Sequence, residues 1–140
     1  MPLTIPPIKE VLNNSKTIAV IGCSANPYRT SNYIAKFMQE RGYEVIPVNP
    51  GHDEMIGTKC YRSLKDIPFD VQIDIINVFR SSEHTASVMD EVKEWNAKTG
   101  QNPVVWTQMD VSSPEAEKIA EEANIPYIPN KCIMVEWERN

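Results

Sequence analysis

The sequence predicts an α/β chain built on a doubly wound parallel sheet of about five strands, with helices on both faces. Two observations carry this. Short β-branched apolar runs, too brief for helices, alternate with longer segments whose apolar residues recur at helical spacing. The helical segments also start and stop where the residues dictate, at Ser113-Pro114 and at Gly42 and Gly100.

In order, a leading helix is expected over Ile8–Asn14, followed by a first strand at Thr17–Ile21 (TIAVI). Ile34, Phe37 and Met38 mark a crossover helix that stops at Gly42, where glycine takes a left-handed cap without steric cost. Glu44–Val48 is the second strand, residues 71–79 contain a third, and residues 103–107 and 126–128 supply two short ones. Val88, Met89, Val92 and Trp95 line a helix before Gly100; Ala116, Ile119, Ala120 and Ala123 line another after Pro114. A short terminal helix is expected over 132–138, and Trp95, Trp106 and Trp137 are expected to pack into the core.

At 140 residues and 41% apolar content, one domain spanning 1–140 with a core of its own is expected. No run approaches the roughly 18 apolar residues of a membrane span, and MPLTIPPIKEV lacks the features of a signal peptide, so a cytoplasmic protein is expected. Cys23, Cys60 and Cys132 form no CxxC pair and no even disulfide framework, which suits a reducing compartment and offers no zinc site. A net charge of −5 argues against a general nucleic-acid surface; an anionic ligand has to be met locally.

In such sheets ligands lie beyond the carboxyl ends of the strands. The loop after the first strand, GCSANPYRTS, matches neither the dinucleotide GxGxxG turn nor the GxxxxGK[ST] loop, yet its chemistry suits phosphate. Gly22 permits a close turn, Ser24 and Asn26 offer polar side chains, Arg29 adds a charged fork, and Thr30 or Ser31 is expected to cap a helix whose free amides face the loop. A plain connecting loop is the bland alternative. The second strand ends in Asn49-Pro50-Gly51, where an NAD site would carry an acidic residue for the ribose hydroxyls. Neutral Asn49, the amides of Gly51 and nearby His52 instead tolerate a phosphorylated ribose, as in coenzyme A.

The segment IGCSANPYRTSNYIAKFMQERGYEVIPVNPG, with GTKCYRSLKDIP, INVFRSSEH, VWTQMDV and IPNKCIMVEW, resembles the small stand-alone CoA-binding proteins. These are similar to the nucleotide-binding domain at the start of the succinyl-CoA synthetase alpha subunit. The likeness runs from about Ile8 to Glu138 and implies a Rossmann-like fold with strand order 3-2-1-4-5 and CoA across the strand ends. It implies that Gly22, Ser24, Asn26, Pro27 and Arg29 surround the pyrophosphate; Cys23 in the same loop is counted with the binding residues, although it stands where the family often has an apolar residue. Asn49 and Pro50 would flank the adenosine, Phe79 and Arg80 line the exit of the third strand, and Gln108 and Met109 meet the pantetheine arm. Nothing corresponds to the synthetase's catalytic histidine domain or partner subunit, so ligase activity does not carry over.

Other readings compete at single residues. Arg80 serves a phosphate or pairs with Glu83, and His84 is read as solvated helix surface. Cys23 follows a buried strand and favours packing, while Cys132 beside Lys131 is the better redox candidate and Cys60 has no visible partner. The expected function is a protein that binds CoA or an acyl-CoA as carrier, sensor or regulator, with no metal and no assembled catalytic centre. The rival is an enzyme acting on a CoA thioester or nicotinamide cofactor through Cys132 or His84. A third is a fold that has lost its ligand and serves only a protein partner.

Overall fold

The computed structural model describes residues 3–140. Its elements are α1 (Ile8–Asn14), β1 (Thr17–Ile21), α2 (Thr30–Glu40), β2 (Glu44–Val48), β3 (Glu54–Met55) and β4 (Thr58–Lys59). After a short 3₁₀ turn at Leu64–Asp66 come β5 (Ile75–Val78), α3 (Ser82–Thr99), β6 (Val104–Thr107), α4 (Pro114–Ala123), β7 (Tyr127–Ile128) and α5 (Ile133–Arg139).

Five strands form one parallel sheet in the order β2-β1-β5-β6-β7. Strand β1 lies between β2 and β5 and all five of its residues are buried, because helices cover both faces and leave no polar side for alternation. Ala19 and Ile21 point into a core with Val88, Met89, Val92 and Trp95 of α3 and Ala116 and Ala120 of α4. Ile18 and Val20 point the other way, against Leu12 of α1, Ile34, Ala35 and Met38 of α2 and Ile133 of α5. Of the helix-spacing residues read from the sequence, Ile34, Met38, Val88, Met89, Val92, Trp95, Ala116 and Ala120 lie in these cores, Phe37 and Ile119 pack against them partly buried, and Ala123 is exposed.

The doubly wound class is as expected, but the neighbour order departs in one place. Counting the five strands of the sheet, the order is 2-1-3-4-5 and not 3-2-1-4-5: β5 pairs with β1. Beyond β2 stands only a single parallel bridge, Val48 to Tyr61. Counted as a third strand, that bridge restores the 3-2-1-4-5 sequence of positions, with β5 and β6 as the fourth and fifth. The chain between β2 and β5 forms the β3–β4 hairpin and the 3₁₀ turn in place of a crossover helix and a full strand.

Helix ends follow the residues. Ser113 Oγ accepts from the Ala116 amide at 3.1 Å with Pro114 in the first turn, and Gly100 closes α3 at φ +75°. Trp95 and Trp106 are buried, whereas Trp137 is half-buried and meets Phe37 edge-on at 5.6 Å under the Arg41 guanidinium. No helix among the described residues is long and apolar enough to cross a membrane.

Candidate functional site

The carboxyl ends of the parallel strands share one side of the sheet, and each exit is tied to its neighbour by main chain. The Gly22 amide donates to the Val48 carbonyl (2.9 Å), Phe79 to Ile21 (2.8 Å), Gln108 to Val78 (3.1 Å) and Lys131 to Thr107 (3.1 Å). The loops therefore leave from a continuous row across the sheet, which brings residues far apart in sequence into one line.

Gly22 is at φ +84°, and a β-carbon there would stand 2.8 Å from the Phe79 carbonyl oxygen and 3.2 Å from Arg80 Cδ. The close turn expected of this glycine is real, and its reason is the approach of the β5 exit. Beside it opens a cavity of about 340 Å³ lined by Gly22, Ser24, Tyr28, Arg29, Thr30, Ser31 and Phe79. The structure thus brings Gly22, Ser24, Arg29 and Phe79 together, with Arg80 running past Gly22.

The loop is held by its own polar groups. Ser24 Oγ accepts from the Asn26 amide (3.1 Å), Asn26 Oδ1 from the Tyr28 amide (3.0 Å), and the Asn26 carbonyl from the Arg29 amide (3.0 Å). Pro27 sits exposed inside this turn. The expected cap on α2 is corrected: Arg29 occupies the cap position with no side-chain cap bond, and Ser31 Oγ accepts from the Ser24 amide at 2.9 Å. Among the described residues, no acceptor within the chain meets the amides of Thr30 and Ser31, so two donors at the positive end of α2 stay free.

Cys23 packs, as its place after a buried strand leads one to expect, and this withdraws its side chain from the binding residues. Its side chain is 0% exposed in the core beneath the loop, and burial, with the nearby Cys60 thiol, pushes its pKa up to about 12. Packing claims the thiol and leaves only the backbone to the loop. Burial likewise raises Cys60, whose Sγ lies 3.7 Å from the Asn49 carbonyl.

Asn49 is committed within the fold. Its Nδ2 donates to the Cys23 carbonyl (2.9 Å) and its Oδ1 accepts from the Gly51 amide (2.8 Å). The Gly51 amide, expected to be open, is therefore occupied. Asn49 joins the exits of β1 and β2, and a carboxylate in its place would face the Cys23 carbonyl oxygen, which is a reason for a neutral amide that needs no ligand. Pro50 and His52 are exposed beside it.

Arg80 does not pair with Glu83, which instead meets His84 at 3.5 Å on the helix surface. Among the described residues no carboxylate lies within 4.0 Å of Arg80, and its charge acts on Glu91, whose carboxyl burial raises and Arg80 lowers. The guanidinium remains available to an anion. At the β6 exit, Gln108 carries a buried Oε1 with no partner and Met109 is 54% exposed before Asp110 at φ +63°. Neither lines the cavity beside Gly22; they extend the same row. The sequence offers no site role for Tyr28, 91% exposed on the cavity rim, or for the buried Asn32, and offers Ser31 only as a cap. An aromatic ring inside an otherwise polar loop was the available signal for Tyr28.

Known proteins resemble the chain along nearly its whole length. Residues 16–138 match a family described as CoA binding domain. The uncharacterized protein YneT of Bacillus subtilis (strain 168) is 46% identical over 128 residues, covering 91% of this chain and 90% of that protein. The ADP-forming acetate–CoA ligase II of Archaeoglobus fulgidus is 32% identical over 120 residues, 84% of this chain but only 17% of the ligase. A hypothetical protein from Pyrococcus horikoshii OT3 superposes with a TM-score of 0.83 at 39% identity, covering 94% of this chain and 88% of that one.

Proposed function

The chain belongs to the CoA binding domain family, and from that premise we propose that it binds coenzyme A or an acyl-CoA at the strand exits. It acts there as a cytoplasmic carrier, sensor or regulator rather than as an enzyme. The observation that carries the reading is the cavity beside Gly22, which Arg29, Thr30 and Ser31 line and where the amides of Thr30 and Ser31 have no acceptor among the described residues. In a chain of net charge −5, such a collection of donors is a local exception suited to a diphosphate. Arg80, which meets no carboxylate of the described residues within ion-pair reach, supplies a second cation on the neighbouring exit. The adenosine lies toward Asn49 and Pro50, and the pantetheine arm follows the row toward Gln108 and Met109, where the exposed Met109 side chain suits the methylenes of the arm.

The acetate–CoA ligase relative is far longer than the segment it shares with this chain, so ligase activity is not carried over. His84 is engaged with Glu83 on the outer surface, which favours binding over catalysis by that residue.

Calorimetric titration with CoA, acetyl-CoA and NAD, with mass spectrometry of the denatured purified protein, tests the reading. CoA or acetyl-CoA is expected to bind more tightly than NAD. No bound nucleotide and no heat at millimolar CoA overturns it; turnover of acetyl-CoA, followed by free thiol release, moves the protein to the enzymes.

A further inference from the structure

Resting on the reading that this face binds CoA, we propose that Ser31 and Asn32 are the positioning residues of the phosphate loop, acting through the peptide of Ser24. The helix and the loop are joined there by both main-chain groups of one residue. Ser31 Oγ accepts the Ser24 amide at 2.9 Å, and Asn32 Nδ2 donates to the Ser24 carbonyl at 2.7 Å. Both side chains are buried, Ser31 at 7% and Asn32 at 2% exposure, and both bonds are shielded on the helix side, unlike the exposed links farther along the loop. Asn32 Oδ1 is buried without a partner, which leaves the Ser24 contact as the interaction that orients this amide.

From Ser24 the bonds run outward in sequence, to Asn26 and then to Tyr28 and Arg29, every later link being exposed. The geometry of the cavity wall is thus set at its buried root. The free amides above have a separate cause: Arg29 holds the cap position without a side-chain cap bond, so the first-turn amides of Thr30 and Ser31 are left without an acceptor among the described residues. Ser31 and Asn32 therefore shape the cradle, while Arg29 and the amides touch the ligand.

The test compares the whole wild-type chain with Ser31→Ala, Ser31→Thr and Asn32→Ala. CoA affinity is measured by calorimetry, and amide hydrogen exchange by NMR in the absence of ligand, at a temperature where circular dichroism shows each protein folded. Ser31→Ala and Asn32→Ala are expected to raise the Kd for CoA roughly five- to tenfold, and Ser31→Thr, which keeps the hydroxyl, to restore it to within about twofold. Exchange is expected to quicken over residues 24–29 and not in β1; a merely structural role would quicken both. Unchanged affinity in folded Ser31→Ala, or loss that threonine rescues in neither measurement, overturns the proposal, and the Ser31 pair decides should Asn32→Ala not fold. Wild-type protein that binds no CoA overturns the functional reading instead, and the exchange data then judge separately whether the two side chains hold the loop.

Discussion

Replacing Gly22 by alanine tests the joint on which the whole strand-exit face rests. Two costs add. An L-residue at φ +84° loses about 1–2 kcal/mol against glycine. The new β-carbon would also sit 2.8 Å from the Phe79 carbonyl oxygen, a backbone atom that cannot swing aside. Relief requires the exits of β1 and β5 to part, which strains the Gly22–Val48 (2.9 Å) and Phe79–Ile21 (2.8 Å) bonds, each worth about 1 kcal/mol. The sum is about 3–4 kcal/mol, a large share of the roughly 5–15 kcal/mol that holds a typical domain together. Gly100→Ala is the control, because Gly100 has a similar φ of +75° but nothing within 4 Å of the added carbon, and it should lose only the backbone part, about 1–2 kcal/mol. Urea unfolding followed by far-ultraviolet circular dichroism measures both. Equal losses in the two variants would refute the steric argument, and with it the close apposition of the exits.

Further expectations concern single groups. Arg80→Ala should weaken CoA binding by about 1.5–3 kcal/mol without unfolding the protein, and should let the Glu91 carboxyl titrate higher still once the lowering charge is gone; an unchanged Kd returns Arg80 to a structural role. Asn49→Asp breaks the donor contact to the Cys23 carbonyl, so it should lower ligand-free stability by about 1–3 kcal/mol and weaken CoA more than dephospho-CoA; equal melting curves for variant and wild type would sink this account of Asn49. The buried Cys23 thiol should resist iodoacetamide at pH 8 in the native protein while the more accessible Cys132 is alkylated, as peptide mass spectrometry would report. Because folding raises the Cys23 pKa from the ordinary 9.0 to about 12, the fold favours the protonated thiol: its contribution is complete below pH 9 and falls as pH rises toward 12. Cys23→Ala should flatten that alkaline decline, and an unaltered slope would assign it to other groups.

The architecture was readable because strands buried on both faces are written as unbroken apolar runs, IAVI and VIPV, and the intervening helices keep most of their apolar residues on one face. The β3–β4 hairpin escaped, since two-residue strands are too short to show a period; Ile56 at φ +49° and Gly57 at φ +75° turn it, and only the glycine announces a turn. Pairing order escaped for a different reason: parallel neighbours are joined through long connections, and nothing in residues 71–79 says which edge of β1 they will meet. At the candidate site, composition revealed which loops carry donors but not which donors are already spent. Ser31 reads as a cap and Asn49-Gly51 as an open neutral end; the bonds to Ser24, Cys23 and Gly51 that occupy them join residues across a turn or between two loops.

Every peptide carries the same N–H whatever its side chain, proline apart, and amides of Gly22, Phe79, Gln108 and Lys131 fasten the four exits to their neighbours. The departure points of the loops are therefore indifferent to most of what mutation writes there, Gly22 being the exception that sterics enforces. Drift can rewrite the chemistry displayed along this face while the frame that displays it stays put. Descendants of one such chain can part company in what they recognise long before their backbones part company in shape.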